Sequence, residues 1–418
     1  MQQAILNRGP ATFGQLSLWR SIQNIPSVAC NLPQVWALPS GATKESVERA
    51  LEVLEERHAS LRTRFEDSVE HGLTQVVWTP APAGLDVTEG EPAAVAEDLA
   101  AVPFDLAADR PWRARIVTAQ GAAAWLVICF HHIAVDAWAI NQLSEEFSAL
   151  LAGRQLPASA PNCLDLAADQ WSDTRQGRRR SARKHWQEIL RSAPPMARDR
   201  APEAVSSRWA RHGSSAGAQA ARRIADRLNV SAPSVLIAAF CASLARQTGE
   251  EQVLVAVYTN NRSDPRWESL VAAQNQIVPL LVTVDPAEEF DAFVTKVHWE
   301  LVRSYKHGAY NVDDMLEVGR ANGYAGTVNG AFEGSVSGFF RYFFNYLGEY
   351  QAGQTTPPLD METGTGGRNI GAPLYLQVQD GDVLTCTLRE NSSATGFDTV
   401  TGILHGFEDV LVASGASR

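Results

Sequence analysis

Two adjacent histidines, His131 and His132, close a continuous apolar run, Trp125-Leu-Val-Ile-Cys-Phe130, and Asp136 follows four residues after the second. Leu143, Phe147, Leu150 and Leu151 then recur at helical spacing. The stretch reads as a buried strand, a tight loop and an amphipathic helix. Such a loop sets proton-carrying side chains at the mouth of a rigid scaffold, where chemistry is commonly found. An imidazole there takes or gives a proton near neutral pH. A buried Asp136 needs an arginine or several donors beside it. Two other readings compete. A histidine at a strand end is often structural, but neighbours on an extended chain point opposite ways, so one can face the fold and the other a cavity. His-His-x-x-x-Asp also offers metal ligands, yet no further His or Cys cluster at ligand spacing lies nearby, and no metal is expected.

The elements that must hold this loop alternate along the chain, which predicts an α/β class. A helix is expected over Thr43 to Arg57, with Val47, Ala50, Leu51 and Leu54 on one face, and a strand over Leu73 to Trp78. The region from Gln176 to Leu228 is poorer in pattern. It holds a basic helix, Arg178 to Leu190, then Pro194-Pro195 and Pro202, and reads as a crossover between lobes. The scheme then restarts. Helices are expected over Ser234 to Arg246, Phe290 to Lys306 and Val400 to Ala413, and strands over Val253 to Val257, Phe339 to Tyr346 and Val383 to Arg389. The expected domains are 1–175, carrying the histidines, and 176–418, including the crossover.

With 418 residues the chain has room for two lobes, and 45% hydrophobic and 20% charged residues are ordinary for a globular protein. A net charge of −11 argues against nucleic acid as a partner. No apolar run reaches membrane-spanning length, no membrane partner is expected, and the N-terminus is not a signal peptide. Cys30, Cys129, Cys163, Cys241 and Cys386 are scattered with no C-x-x-C pair, which predicts reduced core thiols of a cytoplasmic protein.

His131 to Trp138 resembles the His-His-x-x-x-Asp-Gly-Trp signature of condensation domains of nonribosomal peptide synthetases, a superfamily that includes chloramphenicol acetyltransferase. Further segments agree in order. Ala11-Thr-Phe-Gly-Gln15-Leu-Ser-Leu18-Trp19 is similar to the family's Ala-Gln-x-Arg-Leu-Trp, and Arg57-His58-Ala59-Ser60-Leu61-Arg62-Thr63-Arg64-Phe65 to its Arg-His-Glu-x-Leu-Arg-Thr-x-Phe. Phe104-Asp-Leu106 with Pro111-Trp-Arg-Ala114, Asn260-Asn-Arg262 and Gln274 to Leu280 resemble later motifs. The sequence departs where the motif glycine is Ala137, the following serine Ala139, the glutamate Ala59 and the later asparagine Gln276.

The resemblance implies two chloramphenicol-acetyltransferase-like lobes in a V-shaped pseudo-dimer with a channel between them. It implies an acyltransferase of natural-product, including antibiotic, biosynthesis. A thioester on the phosphopantetheine arm of an acyl or peptidyl carrier protein would be condensed with an amine or alcohol, and no cofactor would be bound. His132 would deprotonate or orient the acceptor, and His131 would hold the loop. The backbone N–H of Ala137 would donate to the oxyanion. Asp136 would pair with Arg262, with Arg62 as a second candidate partner, and Trp138 would be a core aromatic in the helix–strand packing. The basic run Arg175 to Lys184 reads as a solvated face that could also meet an acidic carrier. Thr363-Gly-Thr-Gly-Gly-Arg368 lacks the setting of a phosphate loop. Starting at Met1 close to the first motif favours a free-standing enzyme over an excised synthetase domain. The alternatives are an epimerase of the same superfamily, an inactive recruitment domain, and an acyl-coenzyme A-dependent small-molecule acyltransferase.

Overall fold

A computed structural model describes residues 3–416 apart from 24, 26, 71, 158–159, 195–206, 325–333, 349–359, 367–371 and 392–396. The described chain divides into two compact units. The first comprises residues up to Gln176 together with Asn260–Asn275, and the second comprises Gly177–Thr259 and the remainder from Gln276. The sequence reading assigned all of 176–418 to one lobe. The segment 260–275 departs from it because it is tied by hydrogen bonds to the helix that follows the histidines.

The first unit holds strands β1 (Ile5–Pro10), β2 (Asn31–Ala37), β3 (Thr63–Ser68), β4 (Gly72–Trp78), β5 (Asp86–Glu89), β6 (Trp112–Ala119) and β7 (Ala122–His131), and helices α1 (Phe13–Ile22), α2 (Lys44–Arg57), α3 (Pro92–Ala101), α4 (Ala137–Leu151) and α5 (Cys163–Trp171). One sheet runs β1-β4-β3 and a second runs β2-β7-β6-β5. In the second, β7 is central. Val127 and Cys129 pack on Val95, Ala96 and Leu99 of α3. Trp36 of β2 packs against Phe130 and against Phe147 of α4. A strand covered on both faces needs apolar residues at successive positions, which accounts for the unbroken run before the histidines.

The second unit holds α6 (Gln176–Ser192), β8 (Arg208–Ser214), α7 (Ser215–Leu228), α8 (Ala232–Thr248), β9 (Gln252–Thr259), β10 (Gln276–Thr283), α9 (Phe290–Tyr305), α10 (Val312–Ala321), β11 (Tyr342–Tyr346), β12 (Glu362–Thr365), β13 (Leu374–Gln379), β14 (Leu384–Glu390) and α11 (Phe397–Gly415). The sheet order is β10-β9-β11-β13-β14-β8-β12, with β11 parallel to both neighbours. The main core lies between this sheet and α7, α8, α9 and α11. Helix α8 is buried from Ser234 to Leu244 save for Ala242, and Gly249 ends it in the left-handed conformation at φ 75°. Among the described residues no single helix is long and apolar enough to cross a membrane.

Two expectations change here. The pattern-poor stretch 207–228 forms β8 and α7. The buried face of α7 is Gly217, Ala218, Ala220, Ala221, Ile224 and Ala225, so its helical period is carried mainly by alanines, a weak signal. The aromatic strand begins at Tyr342, because Val336–Phe339 closes a 3-10 turn first. Thr363 and Gly364 lie in the edge strand β12, while Gly367 and Arg368 fall outside the described residues.

Candidate active site

Strand β7 delivers the two histidines. His131 is opposite Asn31 of β2, and the backbone N–H of His132 donates to the Cys30 carbonyl at 2.8 Å. The chain then turns, with Ala134 N–H donating to His131 O and Val135 N–H to His132 O. The two rings are held in opposite tautomers. His132 Nδ1 lies 2.7 Å from the Val135 carbonyl. A carbonyl can only accept, so Nδ1 carries the proton and the neutral ring keeps its lone pair on Nε2. In His131, Nδ1 accepts from the Ile133 N–H at 3.2 Å, so a neutral ring carries its proton on Nε2. His131 is buried at 3% exposure and meets Phe104 edge-on, and the Arg113 guanidinium carbon lies 3.5 Å from the centre of the Phe104 ring.

Asp136 starts α4. Its Oδ1 accepts from the Ala139 N–H at 2.9 Å, and its carbonyl accepts from the Ile140 N–H. Arg262 binds the same carboxylate with both terminal nitrogens, at 2.7 and 2.9 Å, and Gln274 N–H adds a donor at 3.1 Å. Four donors thus meet a carboxylate with about four lone-pair sites. Arg262 also reaches the carbonyls of Asn260, Leu270 and Ala272. Asn261 takes the left-handed φ of 55° and donates from its side chain to Gln274 O, closing the loop that aims Arg262. At the start of α4 the N–H groups of Ala137 and Trp138 have no intrahelical acceptor and point out of the helix end.

Two of the proposed site residues stand elsewhere. Arg62 does not meet Asp136. It donates to the carbonyls of Glu55, Glu56 and Trp78, holding the end of α2 to β4. Trp138 is not a core aromatic: it is 44% exposed, and its indole N–H donates to Glu268 O at 3.1 Å. Its indole meets the backbone of the 260–275 segment instead of the core, so its bulk alone misleads. Gln276, standing for the motif asparagine, is buried and bonds the backbone of Tyr310 through both side-chain atoms.

Sequence reasoning missed a polar cluster on α4. Glu146 accepts from Arg57 Nε at 3.2 Å and pairs with His58 Nε2 at 2.7 Å. Burial works against its charge, but bonds from His58 and Gln142 and the charge of Arg57 hold its carboxyl below the usual range. Gln142 donates to Glu146 and to Ser269 O. The signal was present as the i, i+4 spacing of Trp138, Gln142 and Glu146, with Arg57-His58 already a motif.

The condensation-domain family profile matches residues 10–328. The AMB antimetabolite synthetase AmbB of Pseudomonas aeruginosa is 28% identical over 306 residues, which cover 68% of this chain and 24% of that synthetase. The chain therefore spans about a quarter of that relative. Among solved structures, the condensation domain of the enacyloxin polyketide synthase gives a TM-score of 0.77 at 21% identity, covering 98% of this chain and 83% of that one. That of the monacolin K synthase MokA gives 0.79 at 17% identity, covering 99% and 98%. These likenesses establish the two-lobed, mixed α/β fold of chloramphenicol-acetyltransferase type. By the profile match over most of its length, this chain belongs to the condensation-domain family.

Proposed function

We propose that this protein is an acyltransferase that condenses an acyl or aminoacyl thioester, carried on the phosphopantetheine arm of a carrier protein, with an amine or alcohol. Condensation domains of peptide synthetases work on such substrates. One observation carries the reading: the 2.7 Å bond from His132 Nδ1–H to Val135 O, which puts the basic lone pair on Nε2. Acceptor nitrogen or oxygen attacks the thioester carbon, and its proton passes to Nε2. The N–H at Ala137 supports the oxyanion, aided by the positive end of α4. Collapse breaks the C–S bond, and the thiolate takes a proton, leaving amide or ester. A thioester is already activated, so positioning with modest base assistance suffices. Asp136 and Arg262 hold the loop and take no part in proton transfer.

The test presents one acyl group on carrier protein, on pantetheine and on coenzyme A, each with amine and alcohol acceptors, and follows product by mass spectrometry. Faster transfer from the carrier is expected. A clear preference for coenzyme A would move the protein to the small-molecule branch. Solvent deuterium at the α-carbon without transfer would identify an epimerase. Carrier binding with no turnover of any kind would favour a recruitment role.

A further inference from the structure

Four backbone carbonyls of one short segment, those of residues 268, 269, 270 and 272, are caught by side chains from two places. The segment is 260–275, a strap of the first unit. Trp138 Nε1 donates to Glu268 O at 3.1 Å, and Gln142 Nε2 donates to Ser269 O at 2.9 Å. Arg262 Nη2 donates to Leu270 O at 3.3 Å and Ala272 O at 3.1 Å. The donors Trp138 and Gln142 are one turn apart on α4, so they share a helix face.

Gln142 differs from Trp138 in having a second task. Its amide nitrogen has two hydrogens, and the other partner is Glu146 Oε1 at 3.0 Å. Glu146 is itself held by Arg57 and His58 at the end of α2, and His58 is 1% exposed. One amide thus ties a buried ionic cluster to the strap. The strap in turn supplies Arg262 and the Gln274 N–H, which fix the Asp136 carboxylate. We propose that Gln142 is a positioning residue: it transmits the anchored geometry of Arg57, His58 and Glu146 to the strap, and so sets how Asp136 caps α4 beside His132. This rests on reading the His132 loop as the reacting site, but the test below needs no substrate.

Two variants separate this role from general stability. Gln142→Leu removes both donors. Gln142→Glu keeps the shape and replaces the donor by a carboxyl, which can donate only while protonated. The titratable and charged groups that the hydrogen bonds bring to that position are Glu146 on the same helix and, through it, Arg57 and His58 from α2. The nearby Glu146 carboxylate favours the protonated form of a new glutamate.

The measurement is amide hydrogen exchange of the full chain, each variant compared with the parent at the same pH. Trp267, Leu270 and Gln274 are three strap amides with acceptors. Gln142→Leu should speed their exchange about five- to tenfold at every pH, the effect of one or two lost hydrogen bonds. Gln142→Glu should do so near pH 8 and regain protection toward about pH 5. Unchanged strap exchange in both variants overturns the proposal. Equal loss over β7, α4 and the strap marks a merely structural role and overturns it too. If the strap responds as expected while no acyl transfer is ever found, the positioning stands and the reading of the reaction falls.

Discussion

His132 and Asp136 sit four residues apart and are held by different means. His132 is oriented within its own turn by the Val135 carbonyl, whereas Asp136 is held by four donors from three places in the chain. Removing each should therefore have different consequences. His132→Ala should lower acyl transfer by about 10²–10⁴-fold with little change in thermal unfolding, if the ring acts as general base. Rates with a verified donor and acceptor, beside a melting curve, check this; unchanged turnover would remove the side chain from the mechanism. Arg262→Leu should act first on folding. It leaves the Asp136 carboxylate at 3% exposure without its guanidinium, a loss of roughly 3–5 kcal/mol for a buried pair. Urea unfolding measures it, and a loss below about 1 kcal/mol would mean that the backbone donors alone suffice.

Helices α1 and α6 carry two further expectations. Thr12 and Gln15 form a reciprocal cap at the start of α1, and Gly14 lies in that first turn. A methyl group at Gly14 would lie 2.2 Å from the Ala273 carbonyl oxygen, so glycine lets the strap run directly over the helix start. Gly14→Ala should cost about 1–3 kcal/mol by urea titration, and a neutral result would show that the strap can retreat. On α6, His185 is buried against Ser304 and stacks on His307 at 4.7 Å. Burial first, then the neighbouring His307 and Arg303, push it down to about 4. Its folded value lies below the unfolded one, so the unfolded chain binds the extra proton. Stability is then complete above about pH 6.5 and falls as the pH drops toward 4, by up to about 1.4 kcal/mol per pH unit from this group. His307 shifts the same way. Denaturation midpoints against pH should slope less in His185→Gln than in the parent; equal slopes would assign the acid sensitivity elsewhere.

For the whole molecule the governing quantity is charge. The chain carries −11 overall, yet α6 exposes Arg178, Arg180 and Lys184, and ion pairs join Lys184 to Glu188, Arg183 to Glu317 and Arg175 to Asp169. The basic run is thus partly neutralised, and its exposed remainder is the part an acidic carrier could feel. Under the proposed function, Arg178→Glu with Arg180→Glu should lower kcat/KM for a carrier-bound donor about tenfold at low salt. The same acyl group on pantetheine should be unaffected, and the difference should shrink at high salt. Equal losses for both donors would exclude α6 as a carrier-facing surface.

The double-histidine loop was legible because strand, turn and helix lie within 30 residues of one another, and local period and turn chemistry act at that range. The same holds for α2, whose apolar face and Thr43 cap appear in the sequence as they do in the fold. By itself the sequence also determined the family, since the motifs recur in order from residue 11 onward. Residue types and local period alone could not assign partners far apart in the chain, and the Arg262 pairing of Asp136 was expected only through the resemblance. Arg262 lies 126 residues from Asp136, and Ser269 lies 127 from Gln142. Arg62 stood as a second candidate cation for Asp136 until tertiary structure turned it to the end of α2. Trp138 read as core until the helix turned it outward. A side chain's type sets what bonds it can make. Which buried group it meets depends on long-range packing, where a carboxylate drawn out of water takes the donors that the folded chain brings to it.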